Sequence, residues 1–267
     1  MRLDDRRNAH GRSMDVPALN SRFILGTRTD CTSYSDATAH VLGWAETLQS
    51  RYVCLSNVHV TMESHDSAEY RAIVNGADLV APDGRPLVWA LRLFGVGAAT
   101  QVRGTTLTLR VLERAAAETI EVGFYGGSPE VLARLLEACR RRFPGLRVSY
   151  AHSPPFRHLA ADEDAAVVRD INRSGARILF VGLGCPKQER WMATHRGRVN
   201  AVMLGVGAAL DFLAGVKPEA PVWMQHAGTE WLFRLATDPR RLWRRYAAHN
   251  PRFVVLLAGQ YLKSLIA

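Results

Sequence analysis

Polar side chains that could bind or activate a substrate follow several short apolar runs in this 267-residue chain. Asp83 comes directly after Leu79 to Pro82, and Asn57 closely follows the run Tyr52 to Leu55. A carboxylate at such a place can take the proton of a hydroxyl group when burial raises its pKa above about 3.9. A turn aspartate before Gly84 is the structural alternative, and the residues alone leave both open.

The stretch Ile178 to Trp191 combines an apolar run, a glycine turn and a polar segment with helical spacing. It predicts a buried strand, a tight turn and the start of a helix. Gly184 lets backbone N–H groups approach a ligand, and a helix start favours an anion. Lys187 and Gln188 add side-chain donors there. The spacing matches neither GxGxxG nor Walker A, so an ordinary connection with a solvated Lys187 stays open.

A second glycine turn repeats this layout in the middle of the chain. Gly126, Gly127 and Ser128 follow the predicted strand Val122 to Tyr125, and Ser128 is a candidate N-cap for a helix to about Arg142. Near the end of the alternating region, Asp211 stands among apolar residues after the predicted strand 199–204. Both a hydrogen-bonded structural aspartate and a residue that binds a substrate hydroxyl are consistent with that position.

Strands and helices alternate along residues 21–215. Strands are predicted at 23–25, 52–55, 79–81, 122–125, 146–150, 178–181 and 199–204, and helices at 35–49, 61–74, 86–94, 128–142 and 162–172. This alternation predicts an α/β fold, a Rossmann-like, mostly parallel sheet with helices on both faces. Ligands bind outside the carboxyl ends of strands in such sheets, so we expect one crevice lined by Asn57, Asp83, Gly126, Gly184, Lys187, Gln188 and Asp211.

Composition narrows the class of protein. The chain is 48% hydrophobic with a formal net charge of +9, which suits a large core and an anionic partner. Four scattered cysteines indicate reduced thiols in a cytosolic protein. Residues 1–20 are polar and basic and are expected to form a disordered arm, without the apolar segment of a signal peptide. No apolar run is long enough to predict a membrane span.

Residues 216–267 differ from the rest and form a predicted helical appendage rich in tryptophan and arginine. A helix starting at Asp238-Pro239 would place Leu242, Trp243 and Tyr246 on one side and four arginines on the other, Arg240, Arg241, Arg244 and Arg245. Such a helix can lie on an anionic membrane surface. A helix that packs its apolar side on the sheet is the alternative. A nucleic-acid role fits less well, because the basic cluster belongs to no recognisable binding module.

Histidine and acidic residues do not complete a metal motif in the sequence. His59 and Glu63 have helical spacing and His65 lies nearby, but no third ligand is evident. Asp162-Glu163-Asp164 is the only Asp-x-Asp, and it stands at a predicted helix start, where acidic residues favour the helix dipole. We therefore expect no metal or other cofactor at the site.

Several blocks, in order over residues 22–250, resemble the WecG/TagA/CpsF glycosyltransferases, glycosyltransferase family 26. They are Asn57-Val58-His59, Ala77 to Gly84, Phe124 to Gly127, Val181 to Glu189, Gly205 to Phe212, and the segment from Glu230-Trp231-Leu232 to Arg244-Arg245-Tyr246. The resemblance implies an inverting transferase on the cytoplasmic face of the membrane. Its expected substrates are a UDP-sugar, of the N-acetylmannosamine type, hexuronic acid or glucose, and a polyprenyl-diphosphate-linked acceptor for a cell-surface polysaccharide.

The resemblance also implies roles for individual residues. Asp83 would be the catalytic base, Asn57 and Gln188 would line the sugar and acceptor pocket, and Asp211 would lie beside them. The arginine-rich segment would approach the membrane and cover the active site. Without a metal, the leaving diphosphate would be met by helix starts and cations, which points to Gly126, Gly127, Ser128, Gly184 and Lys187.

The chain departs from the family pattern at three positions. Leu55 stands where a threonine is common, and Gln101 and Thr106 stand where arginine and aspartate are usual. Arg103 is a candidate to replace the missing cation. These changes bear on the substrate more than on the reaction, and they leave the transferred sugar open. The oligomeric state is also open, with a homo-oligomer among the possibilities.

Two other classes of function compete with a transferase. A non-catalytic nucleotide-sugar-binding module held at the membrane by its tail would use the same turns and the same basic helix. A Rossmann oxidoreductase would need GxGxxG and an acidic residue about 20 positions later, and none of the glycine turns provides them.

Overall fold

The computed structural model describes residues 20–266, so the predicted arm at 1–20 lies outside the described residues except for Asn20. Its strands are β1 (Ser21–Ile24), β2 (Thr27–Asp30), β3 (Arg51–Ser56), β4 (Leu79–Pro82), β5 (Glu121–Gly126), β6 (Arg147–His152), β7 (Ile178–Gly182) and β8 (Val202–Gly205). Its helices are α1 (Tyr34–Glu46), α2 (Val58–Asp66), α3 (Ala68–Asn75), α4 (Arg85–Leu93), α5 (Gly104–Ala117), α6 (Pro129–Arg142), α7 (Ala161–Ser174), α8 (Lys187–His195), α9 (Ala209–Leu213), α10 (Val222–Ala227), α11 (Glu230–Thr237) and α12 (Pro239–Ile266).

Six strands form one parallel sheet in the order β4-β3-β8-β7-β5-β6. Successive residues of the central strands point to opposite faces, and both faces are buried under helices. Phe180 and Leu204 pack in the core on one side, whereas Leu179 and Met203 pack in the core on the other. The prediction of a Rossmann-like, mostly parallel sheet covered on both faces is confirmed.

The first predicted strand belongs to a different structure from the one expected. β1 and β2 form a separate antiparallel hairpin and do not join the six-stranded sheet. Leu25 and Gly26 connect them with φ of 51° and 83°, the left-handed pair that a tight two-residue hairpin turn requires. The hairpin packs on α4, where Ile24 joins a third apolar cluster.

Two helical regions also differ from the prediction. The helix expected at 61–74 is two helices, because Ser67 ends α2 and caps α3 by accepting a hydrogen bond from the Tyr70 N–H at 3.2 Å. The 14-residue helix α5 was not predicted. Its first residue is Gly104, where a Cβ atom would lie 2.9 Å from Leu55 Cδ1, so Leu55 fills space that only glycine leaves.

The C-terminal helices fold back over the sheet domain. α12 packs on α2, with Phe253 buried and Arg252 paired to both carboxylate oxygens of Asp66 at 2.7 and 2.9 Å. Within residues 20–266, none of the helices combines the length and apolar character needed to cross a membrane.

Candidate active site

The carboxyl ends of the parallel strands bring most of the predicted site residues to one edge of the sheet. Asp83 follows β4 and Asn57 follows the neighbouring β3, while Gly184 follows β7 and Gly126 ends β5. Neighbouring strands lie about 4.8 Å apart, so β7 is roughly 14 Å and β5 roughly 19 Å from β4 along this edge. A ligand that touches both groups must therefore lie along the edge.

Asp83 is held at the end of β4 by backbone hydrogen bonds. Its N–H donates to the Ser56 carbonyl at 2.7 Å, and its Oδ1 accepts from the Gly104 N–H at 2.9 Å. Burial raises the pKa of Asp83 above the usual carboxyl range, while Arg234 opposes this rise. Since Gly104 occupies Oδ1, Oδ2 is the atom suited to accept a proton from a substrate.

Asn57 lines the same pocket and also starts a helix. Its Oδ1 caps α2 by accepting from the N–H groups of His59 and Val60 at 3.0 and 3.3 Å. The side-chain NH2 group is therefore the part of Asn57 that can donate to a ligand. Gln101, in the position of the family arginine, lines the pocket and donates from Nε2 to the Asp83 carbonyl at 2.5 Å.

A pocket of about 570 Å³ lies between these strand ends and the C-terminal helices. Its polar lining includes Asp83, Asn57, His59, Glu230, Arg234 and Arg245. Its apolar lining includes Trp89, Leu93, Phe253, Val254, Leu257 and Tyr261. The pocket can therefore receive a ligand with one polar, anionic part and one long apolar part.

Helix α12 contributes to both the charged and the apolar part of the pocket lining. Five of its residues line the pocket at intervals of four, Arg245, His249, Phe253, Leu257 and Tyr261. This spacing puts them on one face of a helix, and the 16 residue steps from Arg245 to Tyr261 extend about 24 Å. The face changes from charged to apolar along its length, which matches an amphiphilic ligand.

Arg103 lies outside the residues that line this pocket. It is 8% exposed, and its guanidinium binds the appendage, with Nε 3.1 Å from Glu230 Oε2 and Nη1 2.6 Å from Gln225 Oε1. Burial disfavours the ionised form of Glu230, but Arg234 and Arg103 together hold its pKa below the usual value. Arg103 thus holds α10 and α11 over the site, whereas Arg234 and Arg245 are cations that line the pocket.

The glycine turns after β5 and β7 form a second part of the edge. The chain leaves β5 toward β6 and leaves β7 toward β8, so the two loops diverge and open a crevice between them. Gly126 has φ of 122°, and a Cβ atom there would lie 2.6 Å from the Gly182 carbonyl. Gly127 continues the turn with φ of 76°, and Ser128 Oγ caps α6 by accepting from the Val131 N–H at 3.3 Å.

Gln188 and its neighbours shape the turn after β7. The buried Gln188 accepts through Oε1 from the Gly184 N–H at 3.2 Å and donates from Nε2 to Glu189 Oε1 at 2.8 Å. Gly184 has φ of 77°, and a Cβ atom there would meet open space. Lys187 is exposed at the start of α8. Gln188 therefore stabilises the turn from its buried side, while Gly184 and Lys187 are accessible to a ligand.

Asp211 lies on α9, after the central strand β8, and is not among the residues that line the 570 Å³ pocket. Its Oδ2 accepts from Lys217 Nζ at 2.7 Å. The ion pair fixes the segment that leads into the appendage.

The four arginines predicted on one face of α12 do not share one environment. Arg240, Arg241 and Arg244 are exposed, whereas Arg245 turns into the pocket. Trp243, predicted on the apolar side of this helix with Leu242 and Tyr246, is 53% exposed, whereas Leu242 is buried. The exposed residues of the C-terminal helices therefore include both arginines and large apolar side chains, among them Trp223 and Trp243.

The Asp162-Glu163-Asp164 segment begins α7 and lies in the helix-start position expected for it. Asp164 pairs with two side chains: its Oδ1 lies 2.8 Å from His195 Nε2, and its Oδ2 lies 2.9 Å from Arg198 Nη2. Glu163 pairs with Arg157, which lowers the pKa of Glu163 to about 2.

Sequence reasoning missed the pocket residues that the appendage supplies, above all Arg234, Glu230 and His249. The four-residue spacing from Arg245 to Tyr261 was present in the sequence as a signal. It extends through Pro251, which stands inside α12 where a helix end would be expected.

A half-buried carboxylate and open glycine turns at the carboxyl edge of a parallel sheet are the arrangement of an α/β enzyme with its site in that crevice. The chain matches the model of the Glycosyl transferase WecG/TagA/CpsF family over residues 22–266. It belongs to this family and is a glycosyltransferase.

Two similar proteins carry the same functional name, N-acetylglucosaminyldiphosphoundecaprenol N-acetyl-beta-D-mannosaminyltransferase. The protein from Bacillus spizizenii is 29% identical over 233 residues, covering 87% of this chain and 86% of the relative. The protein from Staphylococcus aureus strain NCTC 8325 is 28% identical over 224 residues, covering 83% and 86%.

Proposed function

We propose that this chain transfers a sugar from a UDP-sugar to a polyprenyl-diphosphate-linked sugar, with inversion at the anomeric carbon. The position of Asp83 carries the proposal, because this half-buried carboxylate at the end of β4 lies in a pocket that is charged at one end and apolar at the other. The named activity of the two relatives favours N-acetylmannosamine as the sugar and N-acetylglucosaminyl-diphospho-undecaprenol as the acceptor.

In the proposed reaction, Asp83 Oδ2 takes the proton of the acceptor hydroxyl as its oxygen bonds to the anomeric carbon. The bond from that carbon to the UDP oxygen breaks on the opposite face, and UDP leaves with the electron pair. A single displacement of this kind inverts the anomeric configuration. Positioned general-base catalysis contributes about 10²- to 10⁴-fold to the rate.

The donor lies along the edge of the sheet in this proposal. The uridine end approaches Gly126, Gly127 and Ser128, and the diphosphate approaches Gly184 and Lys187 at the start of α8. The sugar then reaches Asn57 and Asp83, which the strand spacing places farther along the edge. Arg234, together with the helix start, supplies positive charge for the leaving diphosphate, so we propose that transfer needs no metal at that group.

Gln188 and Asp211 act one step away from the reacting atoms in this scheme. Gln188 orients the Gly184 turn through its 3.2 Å hydrogen bond, and Asp211 holds the segment that leads to the appendage. We propose that Arg103 positions Glu230 and the appendage and does not contact the substrate.

The acceptor enters along α12, with its diphosphate near Arg245 and its polyprenyl chain beside Phe253, Leu257 and Tyr261. We propose that the exposed arginines and apolar side chains of the C-terminal helices hold the protein on the inner, cytoplasmic face of the cell membrane, where such an acceptor resides.

The proposed function is tested by UDP release from a panel of UDP-sugars in EDTA, with N-acetylglucosaminyl-diphospho-undecaprenol as acceptor. Release that requires both the acceptor and UDP-N-acetylmannosamine is expected. A protein that binds UDP but releases none from any donor would contradict the proposal.

A further inference from the structure

Three side chains that the transfer reaction does not use come together where α12 crosses α2. His59 and Glu63 lie one turn apart on α2, and His249 comes from α12. His59 Nδ1 lies 3.7 Å and His249 Nε2 lies 3.8 Å from the same oxygen, Glu63 Oε1. One donor atom from each residue lies within 4.8 Å of the other two.

These distances are close to those of a metal site. Donor atoms held at 2.0–2.2 Å around a tetrahedral ion are about 3.4 Å apart, so the two measured separations exceed that spacing by less than half an ångström. They are also too long for hydrogen bonds. The Nδ1 atoms of His59 and His249 are buried, and neither has a hydrogen-bond partner among residues 20–266.

We propose that His59, Glu63 and His249 bind one divalent transition-metal ion, Zn²⁺ as the ion of choice, which fastens α12 to α2. Two imidazoles and one carboxylate suit Zn²⁺, whereas Mg²⁺ and Ca²⁺ prefer ligand sets made of oxygen. His59 and His249 line the pocket, so water from the pocket can complete the coordination.

Charges of both signs surround the proposed site. Arg245 lines the same pocket and repels a cation, but its guanidinium lies over the Tyr246 ring at 5.1 Å, and Glu63 supplies a negative charge to the site.

The ion has a positional role in this proposal. It joins the helix that carries Arg245 and the apolar lining of the pocket to the helix that Asn57 caps. The Arg252–Asp66 pair and the buried Phe253 also hold α12, so the appendage docks without the ion and more firmly with it. The test of Zn²⁺ binding and the test of sugar transfer in EDTA can therefore give positive or negative results independently of each other.

The test is a Zn²⁺ titration of the untagged full-length chain against a competing chromogenic chelator, with Mg²⁺ as a parallel probe. The wild type should bind one Zn²⁺ more tightly than any other site on the chain, and Mg²⁺ should not compete. His249→Gln should weaken this site by at least about 100-fold, since loss of a mere outer-shell partner costs 10- to 100-fold. His65→Gln is the matched control on α2 and should bind as the wild type does.

Hydrogen exchange measured on the same samples tests the fastening of the helix. Zn²⁺ should slow amide exchange in α12 of the wild type and of His65→Gln, but not of His249→Gln. Melting curves in EDTA establish that each variant is folded, and Glu63→Gln provides a second ligand variant. Equal Zn²⁺ affinity in wild type and His249→Gln, or binding that leaves exchange in α12 unchanged, would overturn the proposal.

Discussion

Replacing the proposed base by its amide, Asp83→Asn, separates catalysis from folding and donor binding. Asparagine keeps an oxygen to accept the Gly104 N–H at the 2.9 Å distance seen for Asp83 Oδ1. It puts an NH2 group where Oδ2 would take a proton. The variant should therefore lose the whole general-base contribution, about 10²- to 10⁴-fold in kcat, or roughly 2.7 to 5.5 kcal/mol in the barrier.

Folding should not suffer from this change. Burial raises the pKa of Asp83, which means that the folded protein disfavours its ionised form. A group with a raised pKa in the folded state stabilises the protein only at low pH, and this contribution is lost as pH rises through that pKa. Asparagine has no ionised form, so the variant avoids the free-energy cost of burying the Asp83 carboxylate at pH 7. It should therefore melt at the same temperature as the wild type or at a higher one.

Donor binding should be preserved because the glycine turn after β7 lies roughly 14 Å from the end of β4 along the edge. The assay combines acceptor-dependent UDP release, UDP affinity by calorimetry and a melting curve, with Asp170→Asn on the exposed face of α7 as the matched control. A loss of turnover below tenfold, or a loss of turnover explained by unfolding, would refute the assignment of Asp83 as the base.

Three further changes test other parts of the site. Arg234→Gln removes a positive charge that lowers the pKa of Asp83. Protonation of Asp83 removes the base at low pH, so the fall of kcat on the acid side should move to higher pH in this variant. An unchanged acid side of the kcat profile would contradict an electrostatic effect of Arg234 on Asp83. Gly184 and Gly197 both have φ near 80° and open space around the position of a Cβ atom. Gly184→Ala and the control Gly197→Ala should therefore each lose about 1 to 2 kcal/mol of stability. Only Gly184→Ala should weaken UDP binding, and equal UDP affinities of the two variants would show that Gly184 does not contact UDP. Anionic vesicle binding should fall about 100-fold when glutamine replaces Arg240, Arg241 and Arg244, at roughly 1 kcal/mol per arginine. It should not fall when glutamine replaces the exposed arginines that end α6, Arg140, Arg141 and Arg142, and equal binding by both triple variants would contradict a membrane role for α12.

The sheet and its carboxyl edge were predictable because both depend on short-range patterns. Apolar runs that end in Asp83, Gly126 or Gly184 mark the ends of buried parallel strands, and the topology then brings those ends to one edge. The same patterns do not show which sheet a predicted strand joins. The strand predicted at Phe23 to Leu25 overlaps β1, but the left-handed pair at Leu25 and Gly26 turns the chain back to form a separate hairpin.

The family resemblance implied that the C-terminal segment covers the site, but the side chains that it places there could not be predicted from local patterns, because they depend on how α10 to α12 dock. Arg245 was grouped with the exposed arginines, and only the packing of α12 on α2 turns it into the pocket and brings His249 next to His59. Arg103 looked like a replacement for a missing substrate cation, whereas the docked helix α11 places Glu230 against it. The four-residue spacing from Arg245 to Tyr261 marks one face of α12, but it does not show which part of the fold that face contacts.

The product of the reaction tests the central claim most directly. The purified enzyme would be incubated in EDTA with UDP-N-acetylmannosamine and N-acetylglucosaminyl-diphospho-undecaprenol, and the lipid product analysed by mass spectrometry and NMR. The proposal predicts one added N-acetylhexosamine, joined with the anomeric configuration opposite to that of the donor. An unmodified acceptor, or a product that retains the donor configuration, would contradict it.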